Sequence, residues 1–242
     1  MNTFNYVLYV GLPYMAIVLC IVGATYRYRA TGFTFSSLSS QFLEGDKLFF
    51  GSLLLHWSIL MLVLGHLFAF LLPAWVLALN SDPMRLIVHE MVGFTFGMSA
   101  LLGLTWLFIR RIMNERIRVV TNPMDIIIEL LIITQFFLGC WIALGYRWGS
   151  SWFAADLSPY LWSLLKLNPQ IEAISNMPLV IMTHVALAFV IIGMIPFTRL
   201  VHFMVAPLHY IPRPYQRVIW YWDRKRIRDP RTPWAEVRPK NN

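Results

Sequence analysis

The sequence is poor in cysteine and in charged residues. Its 242 residues include two cysteines, and only 13% are Asp, Glu, Lys or Arg. Two cysteines cannot supply the thiolates of an iron–sulfur cluster or a disulfide framework. The lack of a C-x-x-C-H motif excludes a covalently attached haem. Because a globular domain usually carries about 25% charged residues, the composition also argues against a soluble protein.

Hydrophobic residues, which make up 58% of the chain, are concentrated in five long runs. Each run approaches the ~20 residues that a helix needs to cross the hydrocarbon core. In lipid the backbone must satisfy its own hydrogen bonds, so we predict an all-α integral membrane bundle of five transmembrane helices. The first run lacks a basic leader and a clear cleavage site, which favours a retained helix. The predicted spans are residues 4–26, 48–72, 86–109, 124–145 and 178–203.

Lysine and arginine are unevenly divided between the two sides of these spans. Of the 20 Lys and Arg residues, only Arg85, Arg147 and Lys166 lie on one side, and the other 17 lie on the opposite side. Cytoplasmic segments carry the excess of positive charge, so we predict an outer N-terminus and a cytoplasmic C-terminus. The net charge of +8 is then mainly an orientation signal, and we predict no nucleic-acid partner. Residues 1–203 form the predicted transmembrane domain and residues 204–242 a cytoplasmic tail.

Four of the six histidines lie in two of the predicted spans. His56 and His66 are in the second span, and His184 and His202 are in the fifth. Ionisable groups inside a bilayer are costly and usually functional. Because the two spans run in opposite directions, His66 and His184 lie toward the outside, and His56 and His202 lie toward the cytoplasm. We therefore predict two histidine pairs at two levels.

Each pair suits the two axial positions of a haem iron. Coordination satisfies an imidazole nitrogen that would otherwise lie in hydrocarbon. Glycines near the histidines (Gly51, Gly65 and Gly193) would let a macrocycle approach the backbone. We predict two haem b groups, with the four histidines as iron ligands, that conduct electrons through the bilayer.

Two other uses of the histidines stay open at this point. A zinc site would need one compact tetrahedral cluster with Cys or carboxylate nearby, whereas these histidines fall at two levels. A proton relay would normally include Asp or Glu within the membrane, where only Asp125 and Glu129 qualify.

The spacing of the histidines leaves one geometric problem. Ten helical residues rise ~15 Å and eighteen rise ~27 Å, so two straight helices cannot present both pairs level. A tilt, the presence of Pro196 or a loss of helix before His202 must absorb the difference.

Stretches spread over most of the chain form a specific combination. They are "PYMAIVLCIVGATYRY" in the first span, "SSQFL" before the second, a histidine and then "GH" within it, "RR" after the third, a histidine opening the fifth, and "PFTRLVH" closing it. Together they resemble the membrane cytochrome b (gamma) subunit of respiratory nitrate reductase. The eighteen-residue step from His184 to His202 is also the step of that family.

The resemblance implies five transmembrane helices, an outer N-terminus, a place in the cytoplasmic (inner) membrane and two b haems. It implies that residues His66 and His184 hold the outer haem, and His56 and His202 the inner one. Quinol would be oxidised near the outer haem. Electrons would pass inward to an iron–sulfur subunit and then to a molybdenum catalytic subunit that reduces nitrate, so this chain itself would hold no molybdenum ligands.

Arg85 departs from the family pattern. The family has a lysine at the outer start of the third span that helps to bind quinol, and Arg85 takes that place. Arginine keeps the positive charge and the donors but cannot give up its proton. We predict a quinol site at Gly65, His66 and Arg85, and the alternative role of Arg85 is an anchor at the membrane interface.

His89 is an addition to the family pattern. It lies four residues after Arg85 on the same helix face, with Glu90 and Asp82 close in sequence. Quinol oxidation must release two protons, so His89 is a candidate for releasing them. The alternative is a solvated helix end.

The tail mixes basic and aromatic residues. Arginine and tryptophan favour protein interfaces, and such residues also bind anionic lipid headgroups. We predict that the tail from about Tyr215 docks the electron-accepting subunit, with membrane lipids as the alternative partner. His209 is predicted to lie on the surface. The aromatic residues of the tail include Trp220, Tyr221, Trp222 and Trp234.

Two alternative functions remain at this stage. The same electron-conducting role would serve a nitrite oxidoreductase or a sulfur-compound oxidoreductase, in which electron flow can be reversed. From a different class, a haem-free transporter or membrane anchor would use the histidines for protons or metal. The sequence lacks the broken, repeated helices that many transporters show.

Overall fold

Five helices are long and apolar enough to span a membrane. The computed structural model describes residues 3–32, 43 and 46–205, and in this part of the chain the five predicted spans are confirmed as helices. Helix α1 contains one π-helical turn at Val7–Gly11. The helices are α1 (Thr3–Ala30), α2 (Asp46–Leu71), α3 (Pro83–Met113), α4 (Pro123–Gly145) and α5 (Leu179–Met194).

Proline and side-chain caps set where α3 and α4 begin. Both helices start with proline, whose missing N–H would have no partner in the first turn. Asp82 caps α3 by accepting a hydrogen bond from the backbone N–H of Arg85 at 3.0 Å. Asn122 and Asp125 form a capping box at the start of α4, in which each side chain accepts from the other's backbone N–H. These caps satisfy N–H groups that the helix cannot bond itself.

The fifth span differs from its prediction at its far end. Helix α5 stops at Met194, and a 3₁₀ turn follows at Ile195–Phe197. Thr198 is then extended, with φ −123° and ψ 179°. A second 3₁₀ segment, Arg199–Val205, carries His202. The chain therefore does not continue as one straight helix to residue 203.

Pro196 gives the physical reason for this break. Proline has no N–H to donate to the carbonyl of Ile192, and its ring would clash with that carbonyl in a regular α-helix. Of the three ways in which the unequal histidine spacing could be absorbed, the structure combines two, namely the position of Pro196 and the loss of α-helix before His202.

Small residues bring neighbouring helices together. A Cβ placed on Gly103 of α3 would lie 2.8 Å from the backbone nitrogen of Leu55 and 3.0 Å from the carbonyl of Gly51, both in α2. A Cβ on Gly193 of α5 would lie 3.4 Å from the Cα of Ala16 in α1. Helix α4 packs on both α3 and α5. Close backbone approach of this kind is a main source of helix association in membranes.

The chain between α4 and α5 forms short helices against the His66 end of the bundle. The hydroxyl of Tyr160 donates to the carbonyl of Tyr9 at 2.8 Å, and burial raises the pKa of Tyr160, so the donor stays protonated. The indole N–H of Trp162 donates to the carbonyl of Phe70, near the end of α2, at 3.0 Å. These bonds fix the connecting segment over the end of α2 that carries His66. The short helices are Gly149–Trp152, Phe153–Leu157 (π-helical), Ser158–Leu165 and Glu172–Ser175.

Except for its first two residues, the predicted tail 204–242 lies outside the described residues. Tyr215, the tail's aromatic residues and His209, for which predictions were made, are among these residues.

Candidate functional site

The structure brings His56 and His202 together. Their ring centroids are 6.2 Å apart, with 63° between the ring planes. Ten residues separate His184 from Met194, and ten also separate His66 from His56. Ten helical residues rise ~15 Å, so the end of α5 reaches the depth of His56. There the chain breaks and turns, and His202 ends beside His56 instead of ~12 Å further along the helix direction.

His66 and His184 are the other two histidines of α2 and α5. Phe153 packs edge-on against His66, with ring centroids 5.5 Å apart and 82° between planes. The ring of His184 lies 3.3 Å from where a Cβ on Gly139 of α4 would be. His66 thus contacts the segment between α4 and α5, and His184 lies against α4.

Hydrogen bonds fix the tautomer of three of the four imidazoles. In His56, His66 and His202, Nδ1 bonds a backbone carbonyl three or four residues earlier. A carbonyl can only accept, so Nδ1 carries the hydrogen and Nε2 keeps the lone pair. Metal-binding histidines usually have this arrangement, with the second nitrogen oriented by a protein acceptor. The accepting carbonyls belong to Ser52 (2.8 Å), Leu62 (2.8 Å) and Arg199 (2.7 Å).

His184 is held differently. Its Nε2 lies 3.3 Å from the side-chain nitrogen of Gln135 in α4. The Nδ1 of His184 and the Oε1 of Gln135 are both buried and lack a hydrogen-bond partner. The sequence reasoning missed Gln135, although an amide within an otherwise apolar span is a visible signal.

These residues fit the binding of two haems. Three histidines present an Nε2 lone pair of fixed tautomer, whereas His184 meets Gln135 at Nε2 and has a buried Nδ1 without a hydrogen-bond partner. Beside His66, a Cβ on Gly65 would meet nothing within 4 Å, so a planar group can approach the backbone there. Within the described ranges, no three His, Cys, Asp or Glu side chains converge as a zinc ion would require.

Gly51 and Gly193 have another role than the one predicted. A Cβ on Gly51 would lie 2.8 Å from Trp106 and 2.9 Å from Leu107, both in α3, and Gly193 packs on α1. Both glycines therefore serve contacts between helices, and among the three glycines named with the histidines only Gly65 faces open space.

Arg85 lies exposed in the first turn of α3, where its backbone N–H bonds Asp82. Asp82 is thus a helix cap. The neighbouring acid, Glu90, accepts hydrogen bonds from the backbone N–H (2.8 Å) and the hydroxyl (2.5 Å) of Ser150. Glu90 is therefore linked through Ser150 to the polar network that contains His89.

His89 belongs to a polar network with Asn80. Its Nδ1 lies 3.0 Å from Asn80 Oδ1, and the Asn80 amide nitrogen donates to the hydroxyls of Ser150 and Ser151 at 2.9 Å each. Because those contacts use the amide as donor, Oδ1 is the acceptor and His89 Nδ1 carries the hydrogen. Sequence reasoning missed Asn80 and the two serines, because nothing local links them to His89.

Two arginines and two carboxylates meet at the His56 end of the bundle. Arg111 Nε donates to both carboxylate oxygens of Glu129, at 2.8 and 2.9 Å. Arg199 Nε lies 2.9 Å from Asp125 Oδ1, and Arg111 Nη1 lies 3.6 Å from Asp125 Oδ2. The two intramembrane acids considered for a proton relay are thus paired with arginines.

The fold and the histidine geometry define a class of protein. The described chain is a membrane protein of five apolar helices, in which α2 carries His56 and His66, the α5 region carries His184 and His202, and His56 lies beside His202. Residues 5–221 match the nitrate reductase gamma subunit family. The chain belongs to that family, and it is therefore the membrane subunit of a multi-subunit nitrate reductase complex.

Individual relatives agree with this assignment. The chain is 32% identical over 209 residues to the nitrate reductase gamma chain of Bacillus subtilis (strain 168), covering 84% of this chain and 93% of the relative. It is 30% identical over 221 residues to the respiratory nitrate reductase 2 gamma chain of Escherichia coli (strain K12), covering 90% and 96%. It also matches 32% of the length of the nitrate reductase-like protein NarX of Mycobacterium tuberculosis, at 29% identity over 84% of this chain.

Proposed function

We propose that this chain is a di-haem b subunit that oxidises quinol near the outer face and delivers electrons to cytoplasmic subunits of a nitrate reductase. One observation carries the proposal: His56 of α2 and His202 of the segment after α5 lie together, with their ring centroids 6.2 Å apart. Family membership supports it, since gamma chains serve nitrate reductase complexes.

Four histidines of the chain would hold the two haems. His66 and His184 would hold the outer haem, and His56 and His202 the inner one. When bound, the haems supply one-electron carriers at two depths of the membrane. The chain's own part is to orient the imidazoles, which the Nδ1 bonds of His56, His66 and His202 accomplish before any ligand binds.

The quinol would bind beside Gly65 and His66. The open space at Gly65 admits a flat ring, and Phe153 against His66 offers an apolar wall. Arg85 can donate hydrogen bonds to a quinol oxygen and can stabilise its anion, although it cannot act as the base. His89 is the candidate proton acceptor. Its Nδ1–H is held by Asn80, so a proton would be taken at Nε2.

The orientation predicted from Lys and Arg places the quinol site outside and the acceptor inside. Each electron that moves inward works against about 2.3 kcal/mol per 100 mV of membrane potential. The difference in potential between quinol and acceptor must exceed this cost. Electrons would pass to an iron–sulfur subunit and on to a molybdenum subunit that reduces nitrate, with the tail 204–242 as docking element. The location would be the cytoplasmic (inner) membrane.

A reduced-minus-oxidised absorption spectrum of the purified complex tests the proposal directly. Dithionite should produce b-type haem bands, and quantitation should give two haems for each copy of this chain. A complex without these bands would overturn the proposal and favour a haem-free membrane anchor or transporter.

The variant His66→Ala tests the ligand assignment. It removes one axial ligand of the outer haem, so half of the haem should be lost and quinol oxidation should stop. His89→Ala, which changes a histidine outside the two pairs, should retain both haems and serves as the control. Retention of both haems in His66→Ala would contradict the assignment.

A further inference from the structure

The segment that carries His202 is bonded on one side by α1. Nη1 of Arg27 donates to the carbonyls of Pro196 and Thr198, each at 2.8 Å. The chain leaves regular helix at these carbonyls, which therefore need an external donor. Gly23, one turn earlier in α1, lies against the ring of Pro196, since a Cβ there would be 2.8 Å from the proline Cγ.

On the other side the segment is held by an ion pair with α4 and by a hydrogen bond to the turn before α4. Asp125 is 3% exposed, and its Oδ1 lies 2.9 Å from Arg199 Nε. Nη2 of Arg199 donates to the carbonyl of Val120 at 2.8 Å. The carbonyl of Arg199 in turn accepts the Nδ1 hydrogen of His202 at 2.7 Å. A continuous path of contacts thus runs from the Asp125 carboxylate through Arg199 to the imidazole.

We infer that Arg27 and Asp125 are positioning residues for the inner haem ligand, because they hold the broken end of α5 in the conformation that places His202 beside His56. The inference rests on the proposed function, in which His202 ligates iron. Neither residue needs to touch the haem. Arg27 acts through two backbone carbonyls and Asp125 acts through Arg199.

The physical reason is that a segment outside regular helix has few internal bonds to define it. Breaking a buried ion pair by removing one charge leaves the other uncompensated and is strongly destabilising locally. The orientation of His202 and the strength of its Nδ1 bond would then change, and both affect the iron that the other nitrogen binds. His56, in the middle of α2, has no such dependence.

The test uses the full complex and the variant Asp125→Asn, which keeps the size of the side chain and an acceptor oxygen for the helix cap. Glu129→Gln is the matched control, because Glu129 lies one turn further along α4 and pairs with Arg111.

The measurements are haem content, separate redox titration of the two haems, and low-temperature electron paramagnetic resonance of the ferric state. Asp125→Asn should shift the potential and resonance signal of the inner haem and leave the outer haem unchanged. Glu129→Gln should change neither haem.

A second pair of variants covers the case in which Asp125→Asn does not accumulate. Arg27→Met removes the group that donates to the two carbonyls, and Arg27→Lys retains a positively charged donor group. Arg27→Met should weaken or shift the inner signal, and Arg27→Lys should restore most of it. Equal effects on both haems, or an inner signal unchanged in Asp125→Asn and Arg27→Met, would overturn the inference. A wild-type complex without b haem would instead refute the proposed function, so the two failures are distinct.

Discussion

Single residues determine how each imidazole is presented. In three of the four histidines, a carbonyl one turn earlier fixes the hydrogen on Nδ1 and leaves the Nε2 lone pair for another partner. This detail needs helical geometry and the side-chain rotamer. Sequence reasoning placed His56 with His202, which lie together in the structure, but could not predict which nitrogen is available.

Gln135 provides a prediction about the fourth histidine. Its amide lies against His184 Nε2, the nitrogen that iron would use if His184 resembled the other three. An amide and an iron atom compete for one lone pair, so Gln135 is not required for haem binding. We expect Gln135→Leu to retain two haems per chain by pyridine haemochrome assay, whereas His184→Ala should retain one. Loss of a haem in Gln135→Leu would show that the amide supports the ligand.

His89 gives a prediction about the rate of quinol oxidation. If the imidazole accepts a quinol proton at Nε2, its removal should slow the reaction. His89→Ala should lower the rate by roughly 10²-fold, the lower end of general-base contributions. The measurement is the rate of quinol oxidation by the purified complex.

His89→Gln is the control for this prediction. A glutamine can still bond Asn80 but cannot accept a proton as an imidazole does, so it should behave like alanine if His89 transfers protons. A wild-type rate in His89→Gln would assign a structural role to the Asn80 network, and a wild-type rate in both variants would leave His89 as a solvated helix end.

At the scale of helices, the spans were predictable because length and hydropathy alone decide them. The end of α5 was harder to predict. Pro196 signalled a possible break, but whether the chain continues, tilts or turns depends on Arg27 and Asp125, which lie on other helices. Local sequence therefore predicts where a helix can end, and tertiary contacts decide where the chain goes next.

Glycine packing between α2 and α3 gives a prediction about stability. A Cβ at Gly103 would come within 2.8 Å of the Leu55 backbone, which cannot move aside without shifting α2. We expect Gly103→Ala to destabilise the complex by about 1–3 kcal/mol, as overpacking does. The measurement is thermal release of haem from the detergent-solubilised complex.

Gly93 is a matched control in the same helix, since a Cβ there would meet nothing within 4 Å. Gly93→Ala should be neutral or stabilising by up to ~1 kcal/mol, because alanine favours helix. Equal loss of stability in both variants would indicate that helix propensity, not the α2–α3 contact, controls this property.

At the scale of the whole molecule, the prediction of two histidine pairs rests on the antiparallel direction of the two spans. Two spans of opposite direction bring the start of one beside the end of the other, so the order of residues along the chain gives their order in depth. The polar network of Asn80 with Ser150 and Ser151 follows no such rule. It joins the start of α3 to the segment after α4, and only the packed bundle brings these residues together.

The orientation of the bundle gives the last prediction. Ser81 and Glu115 are exposed at opposite ends of α3, and the distribution of Lys and Arg predicts that Ser81 faces outward and Glu115 the cytoplasm. In a background with Cys20 and Cys140 replaced by alanine, Ser81→Cys should react with a membrane-impermeant maleimide in cells whose inner membrane is intact. Glu115→Cys should react only after that membrane is permeabilised. The reverse pattern would place the quinol site on the cytoplasmic side. Electrons that leave that site for the other haem would then move outward, opposite to the direction proposed.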